Sequence, residues 1–181
     1  MSAGATTMNF ATIFDLPLRM WPDKEALIYG AQRLTYGELE QRTNRVANGL
    51  RSLGAGAGDH VAVLVKNDPR FVECLLGALR AGCTVTPATT RAHASTLMHI
   101  VADSRACVLF ASADFAAEAA RLAAEMPGLR HVFIMDTPAA GTRDYGGWLA
   151  AQHDMRLVAE SPRPILLSSP TPRVRPGCRR A

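Results

Sequence analysis

The chain has 181 residues, of which 48% are hydrophobic and 20% are charged, so it can bury the core of one globular domain. This balance excludes a disordered or low-complexity protein. The formal net charge is +4, but five arginines and no acidic residue fall in residues 161–181, while acidic residues exceed basic ones by one in residues 1–160. The basic character therefore belongs to the C-terminal segment and gives no evidence that the rest binds nucleic acid.

The cysteines and the N-terminus bear on the cellular compartment. Cys74, Cys83, Cys107 and Cys178 lack the spacing of a zinc or redox motif, and the first three lie in apolar runs. We therefore expect buried, reduced thiols. The first residues lack the pattern of a secretory signal, and no apolar run approaches the ~18 residues that span a membrane. These features predict a cytoplasmic protein without a membrane span.

Apolar periodicity and capping residues predict the secondary structure. Thr35 and Glu38 form a capping box ahead of one helix, Pro69 opens another, and Gly82 closes it. In chain order the predicted elements are helix 10–18, ended by Pro17 or by Trp21 and Pro22, strand 26–29, helix 36 to the glycines at 54–58, strand 60–65, helix 71–81, strand 84–86, helix 95–102, strand 106–110, helix 113–126, strand 131–135 and helix 145–152.

The order of these elements predicts the fold class. From residue 60 onward, four short apolar strands alternate with helices, which is typical of βαβ units in a parallel, doubly wound α/β sheet with helices on both faces. Residues 161–181 hold five of the eleven prolines and show no periodicity, so we predict no secondary structure there. The predicted organisation is an α/β unit over residues 1–160 followed by an Arg/Pro-rich tail.

Several motifs in residues 1–160 resemble the N-terminal part of acyl-CoA synthetases, which belong to the AMP-forming, adenylate-forming ligases. Each motif is weak alone, but their order and spacing make the resemblance specific. The pattern departs from the family after Pro87, where this chain has ATTR (88–91) in place of an apolar residue and Asn-Pro-Arg. The matching runs are PDKEAL (22–27), LTYGEL (34–39), NRVANGL (44–50), LG (53–54), GDHVAV (58–63), LGALRAG (76–82), DS (103–104) and GLRHV (128–132).

The resemblance implies an ATP-dependent reaction in two steps. A carboxylate, such as that of a fatty acid, attacks the α-phosphate of ATP to give an acyl-adenylate, and the thiol of CoA then displaces AMP. This chemistry requires Mg²⁺ and a phosphate-binding loop that in the family reads like YTSGTTGxPKG. The 181 residues contain no such loop. We therefore expect an N-terminal subdomain that is inactive alone and binds none of these cofactors.

The codons of the last residues permit the missing loop in a shifted reading frame. If the codons for Pro170 to Ala181 are read one nucleotide earlier, they permit the sequence YTSGTTGLPKG at the place where the family loop is expected. Residues 165–170 permit the lead-in DPAVLP in the same shifted frame. We hypothesise a single-base frameshift at or before about Pro164, which also accounts for the composition of the tail.

No catalytic, cofactor-binding or metal-ligating residue can be assigned from the sequence. The glycines at 54–58 precede a strand, whereas a phosphate loop joins a strand to a helix, and Asp59 and Asp103 are expected to cap or order turns. The five histidines lack metal spacing: His60, His93, His99, His131 and His153.

Three alternative interpretations stay open. The chain could be a binding or regulatory module, or half of a split ligase, that pairs with the remainder or with itself through uncovered apolar surface. It could also be an unrelated flavodoxin-like domain, although it has no evident flavin or phosphate loop. A nucleic-acid-binding tail is disfavoured because residues 161–181 contain no aromatic residue for base stacking.

Overall fold

The structure is a computed structural model that describes residues 15–157. A short 3₁₀ turn, Ala113–Phe115, precedes the fifth helix. The helices and strands in chain order are α1 (Asp15–Met20), β1 (Glu25–Tyr29), β2 (Gln32–Thr35), α2 (Tyr36–Ser52), β3 (His60–Leu64), α3 (Pro69–Ala81), β4 (Thr84–Pro87), α4 (Ala94–Ser104), β5 (Val108–Ala111), α5 (Ala116–Glu125), β6 (His131–Ile134), β7 (Arg143–Asp144) and α6 (Tyr145–Ala150).

The predicted doubly wound α/β fold is confirmed. Five strands form one sheet in the order β4-β3-β5-β6-β7, and every neighbouring pair is parallel. Alternate residues of β3 face opposite sides of the sheet: Val61 and Val63 pack with α2, α3 and α6, whereas Ala62 and Leu64 pack with α4 and α5. The unbroken apolar run of β3 thus reflects burial on both faces.

The strongest capping signals are also confirmed. The Thr35 hydroxyl accepts from the backbone N–H of Glu38, and the Glu38 carboxylate accepts from the N–H of Thr35, which completes the capping box of α2. Pro69 is the first residue of α3, and Gly82 ends that helix in the left-handed conformation at φ 88°. Gly54, Gly56 and Gly58 lie in the connection between α2 and β3.

Two elements were not predicted. β2 pairs antiparallel with β1 around the turn at Gly30, and β7 adds two residues to the edge of the main sheet. Both strands are short, and β2 ends at Thr35, the first residue of the capping box, so the local pattern indicates the start of a helix and not a strand. The hairpin therefore depends on the pairing of β1 with β2, and the local composition of β2 does not predict it.

Several predicted boundaries differ from those observed. The predicted strand 106–110 is observed as Val108–Ala111, and the predicted helix 113–126 begins with the 3₁₀ turn. Asp103 lies inside α4, so its expected role at a turn is wrong; Ser104 instead orders that turn, accepting from Ala106 N–H at 3.3 Å. Residues 10–14 of the first predicted helix, Cys178 and the tail 161–181 lie outside the described residues.

Candidate functional site

The strand order identifies the carboxyl end of the sheet as the expected ligand-binding region. The chain passes from β3 to β4 on one side and then crosses to β5 on the other side of β3. In such sheets, ligands bind at the carboxyl ends of the two strands where the direction reverses. Here that switch point lies where β3 and β5 end, followed by Lys66 and Asn67 on one strand and by Ser112 and Asp114 on the other.

Polar contacts bridge the switch point. The backbone N–H of Lys66 donates to Ser112 Oγ at 3.1 Å, and Lys66 Nζ lies 3.0 Å from Asp114 Oδ2. Lys66 Nζ also lies 5.9 Å from the ring centroid of Phe115. Because the side chains of Lys66 and Asp114 are 54% and 58% exposed, water screens their ion pair and a competing ligand could displace it at low cost.

Arg70 ties the carboxyl end of β3 to that of β6. Its guanidinium donates to Asp68 at 2.7 and 2.9 Å and to Asp136 at 2.7 and 3.1 Å. Burial acts to raise the pKa of Asp68, but the hydrogen bonds from Arg70 outweigh it and hold that pKa below its usual value. The two carboxylates raise the pKa of Arg70. They also neutralise its positive charge, so Arg70 is not a free cation for an anionic ligand.

A buried hydrogen-bond network connects α2, α3 and α6. Glu73 is fully buried; Arg42 donates to its Oε1 at 2.9 Å, and the Tyr145 hydroxyl donates to its Oε2 at 3.1 Å. Burial raises the pKa of the Tyr145 hydroxyl well above its usual value, as it does for the neighbouring Cys74 thiol. Both groups stay protonated at neutral pH, so neither acts as a nucleophile, and the network links α2, α3 and α6.

The three cysteines within residues 15–157 are buried, as predicted. Cys74, Cys83 and Cys107 are buried and free of disulfides. Burial raises the pKa of the Cys83 thiol to about 12, which leaves almost no thiolate at neutral pH. All three thiols pack in the apolar core between the sheet, α2, α3 and α6.

The other candidate groups from the sequence are not brought together. His60 and His131 begin separate strands, His93 is the residue before α4, His99 lies within α4, and His153 follows α6. Asp59 accepts from the N–H of Gly56 at 2.9 Å and orders the turn before β3 as expected. Across residues 15–157, no three His, Cys, Asp or Glu side chains are grouped in a way that could hold a metal ion. In the same range, no helix has the length and hydropathy needed to cross a bilayer.

Three arginines line a depression of about 420 Å³ beside α6, which sequence reasoning did not anticipate. Each is paired with a carboxylate: Arg42 with Glu73, Arg70 with Asp68 and Asp136, and Arg45 with Asp154 at 3.4 Å. The depression therefore has no surplus positive charge, which argues against an anion site.

Comparison with known proteins gives consistent relatives. The chain is 42% identical over 106 residues to a feruloyl-CoA synthase from Amycolatopsis sp, a match covering 59% of this chain and 22% of that protein. It is 30% identical over 142 residues to a 3-hydroxybenzoate–CoA ligase from Aromatoleum sp. (strain CIB), covering 78% of this chain and 27% of the relative. The chain thus spans about a quarter of the length of these relatives.

The fold comparison agrees. The crystal structure of the anthranilate CoA ligase AuaEII in complex with anthranoyl-AMP superposes with a TM-score of 0.78 over 85% of this chain and 30% of that one, at 23% identity. At this identity the likeness shows the shared fold alone. The model of the AMP-binding enzyme family matches residues 14–168 of the sequence, and the chain therefore belongs to this family.

Proposed function

We propose that this chain is the N-terminal α/β subdomain, residues 1–160, of an AMP-forming acyl- or aryl-CoA synthetase. The observation that carries the proposal is the family match over residues 14–168 together with CoA ligases among the relatives. The whole ligase would activate a carboxylic acid with ATP and Mg²⁺ and transfer the acyl group to CoA. Its acid is an aromatic acid, as the names of two relatives suggest, or a fatty acid, as that of a third suggests.

We propose further that the 181 residues alone catalyse neither step. Adenylation needs backbone N–H groups that cradle the phosphates and cations that neutralise charge on the α-phosphate. The sequence has no phosphate loop, and the arginines near the sheet edge within residues 15–157 are already paired with carboxylates. No residue of this chain is therefore assigned a catalytic, cofactor-binding or metal-binding role.

The test is release of pyrophosphate by the purified chain with ATP, Mg²⁺, CoA and a panel of acids. The panel contains ferulate, 3-hydroxybenzoate, anthranilate and a medium-chain fatty acid. We expect no release above a blank without enzyme for any acid. Turnover with any of them would refute the inactivity of the isolated chain.

The tail calls for its own experiment, which is to resequence the gene across the codons for residues 155–181 and about 60 bases beyond. We propose that one base restores YTSGTTGLPKG and an open frame for the rest of the ligase. The frame-corrected product should then form acyl-CoA from one acid of the panel. If the tail's frame is genuine and its codons do not permit the loop, the frameshift proposal fails.

A second candidate is a binding or regulatory module, or one half of a split ligase. The observation that favours it is the exposed apolar surface at Ile28 and Tyr29, which a partner could cover. A separate start codon and ribosome site for the remainder would distinguish a split enzyme from a frameshift. Under either candidate we propose a cytoplasmic protein. We also propose that it has no nucleic-acid partner, because the basic excess is confined to residues 161–181, which contain no aromatic residue for base stacking.

A further inference from the structure

Residues 145–157 lie against α2 at the end of the described part of the chain. They comprise α6 and the segment that follows it, and we name them the latch. Its apolar contacts come from α6: Tyr145 is buried, and the ring centroids of Trp148 and Phe133 are 4.4 Å apart. A Cβ at Gly49 of α2 would overlap the Trp148 ring, so a glycine there allows α6 to pack this closely. α6 therefore covers the aromatic side chains of this part of the core.

The segment after α6 is held mainly by polar contacts. Residues 151–156 are mostly exposed, and the half-buried Leu157 beyond them packs against the core. On α2 the Asn48 side chain is buried, and its Nδ2 donates to the carbonyl oxygens of His153 at 2.9 Å and Met155 at 2.8 Å. Both N–H donors of this amide are thus used. One buried side chain therefore binds two backbone carbonyls of a segment that buries little apolar surface.

Ion pairs also link the latch to the helices beside it. Asp154 pairs with Arg45 of α2 at 3.4 Å. Arg156 pairs with Asp15 of α1 at 2.5 Å. The side chains of Arg45 and Arg156 are 36% and 44% exposed, so water and dissolved salt weaken both pairs. The hydrogen bonds from Asn48 join uncharged groups and are much less sensitive to salt, so we expect them to hold the segment on α2.

We propose that the latch is a conformational device that opens independently of the central sheet, and that Asn48 sets how often it opens. Segments with few buried apolar contacts open at a lower free energy than the core does. In the latch such a segment lies between the apolar contacts of Trp148 and Leu157. Opening uncovers the rings of Phe110 and Phe133, against which Trp148 packs, and exposed apolar surface favours association. This inference does not depend on the proposed function.

The first experiment measures amide exchange of the 181-residue chain by NMR at several low urea concentrations. The reporters are the N–H groups of Ala151 and Gln152, which donate to the carbonyl oxygens of Gly147 and Leu149. We expect their protection to be roughly tenfold or more below that of the amides in β3 and β5, and to depend less on urea, because opening of the latch exposes less surface than global unfolding. Reporters with the protection and the urea dependence of the strands would overturn the proposal, since the latch would then open only by global unfolding.

The second experiment tests the role of Asn48 with the same reporters. Asn48→Ala removes both hydrogen bonds and should lower the protection of the reporters by about tenfold. Asn48→Asp keeps the size of the side chain but cannot donate, so it should lower the protection at least as much. Gln41→Ala, at an exposed residue of the same helix, is the matched control and should behave like wild type.

Salt separates the hydrogen bonds of Asn48 from the ion pairs of the latch. Raising NaCl from about 0.05 to 0.5 M should lower the protection of the reporters in wild type by less than Asn48→Ala does, because exposed ion pairs contribute little. A loss with salt as large as that caused by Asn48→Ala would assign control of the latch to the ion pairs. That result, or wild-type protection in either Asn48 variant, would overturn the role of Asn48.

Discussion

Replacing Gly77 by alanine tests the packing on which the position of α3 depends. A Cβ at residue 77 would lie 2.5 Å from both Cβ and Cγ1 of Val46, and 3.0 Å from the carbonyl oxygen of Thr43. Val46 is fully buried on α2, and its Cβ is attached directly to the helix backbone. The clash therefore cannot be relieved by rotating a flexible side chain, and the two helices must move apart.

Two opposing effects set the magnitude. Overpacking a filled core costs about 1–3 kcal/mol, whereas alanine is favoured over glycine inside a helix by about 0.5–1 kcal/mol. The overpacking dominates because the contacts at 2.5 Å involve atoms fixed to a helix. We expect Gly77→Ala to lower the free energy of unfolding by about 1–2 kcal/mol, equivalent to a loss of about 2–8 °C in Tm for a chain of this size.

The assay is urea unfolding followed by circular dichroism, with a thermal melt of the same samples. Gly128→Ala is the matched control, because a Cβ at Gly128 meets no atom within 4 Å. The control should be neutral or slightly stabilising, since alanine restricts the unfolded chain. A Gly77→Ala variant as stable as wild type would show that α2 and α3 do not approach as closely as described.

Three further predictions concern the polar contacts and the thiols. Tyr145→Phe removes a donor from the buried carboxylate of Glu73 and should cost about 1–2 kcal/mol in urea unfolding; a neutral result would contradict that hydrogen bond. Asp136 has φ 75°, so Asp136→Gly, which relieves strain, should be more stable than Asp136→Ala by about 1 kcal/mol, although both lose the ion pair with Arg70. Burial raises the pKa of Cys83 from 9.0 to about 12, so its contribution to stability is complete below about pH 9 and is lost as the pH rises toward 12. The urea midpoint should therefore fall less between pH 8 and 10.5 in Cys83→Ala than in wild type, and equal losses would refute this assignment.

Strong local signals predicted the main elements well. The capping box of Thr35 and Glu38 located the start of α2, and the runs that begin at His60 and His131 located β3 and β6. Each signal depends on residues adjacent in sequence, because caps and strand alternation are local. The four-residue strand β2 has no such signal, since its stability comes from pairing with β1 and from the helix that follows it.

The charged contacts could not be predicted in the same way. Nothing near Arg70 in the sequence indicates Asp136, which is 66 residues away, and nothing near Glu73 indicates Tyr145, which is 72 residues away. These pairs depend on the tertiary fold, in which the strands lie in the order β4-β3-β5-β6-β7. The arginines in isolation could have formed an anion site, and only their tertiary partners show that their charge is already neutralised.

The sequence by itself determined the α/β class, the alternation of strands and helices, and the resemblance confirmed by the family match over residues 14–168. These properties follow from local patterns of apolar residues, caps and turns, which do not depend on distant contacts. The tertiary structure alone decided where the switch point lies, which cations are paired, and which apolar side chains within residues 15–157 are exposed. Those properties depend on side chains far apart in sequence, whose proximity and burial are set by the packing of the whole fold.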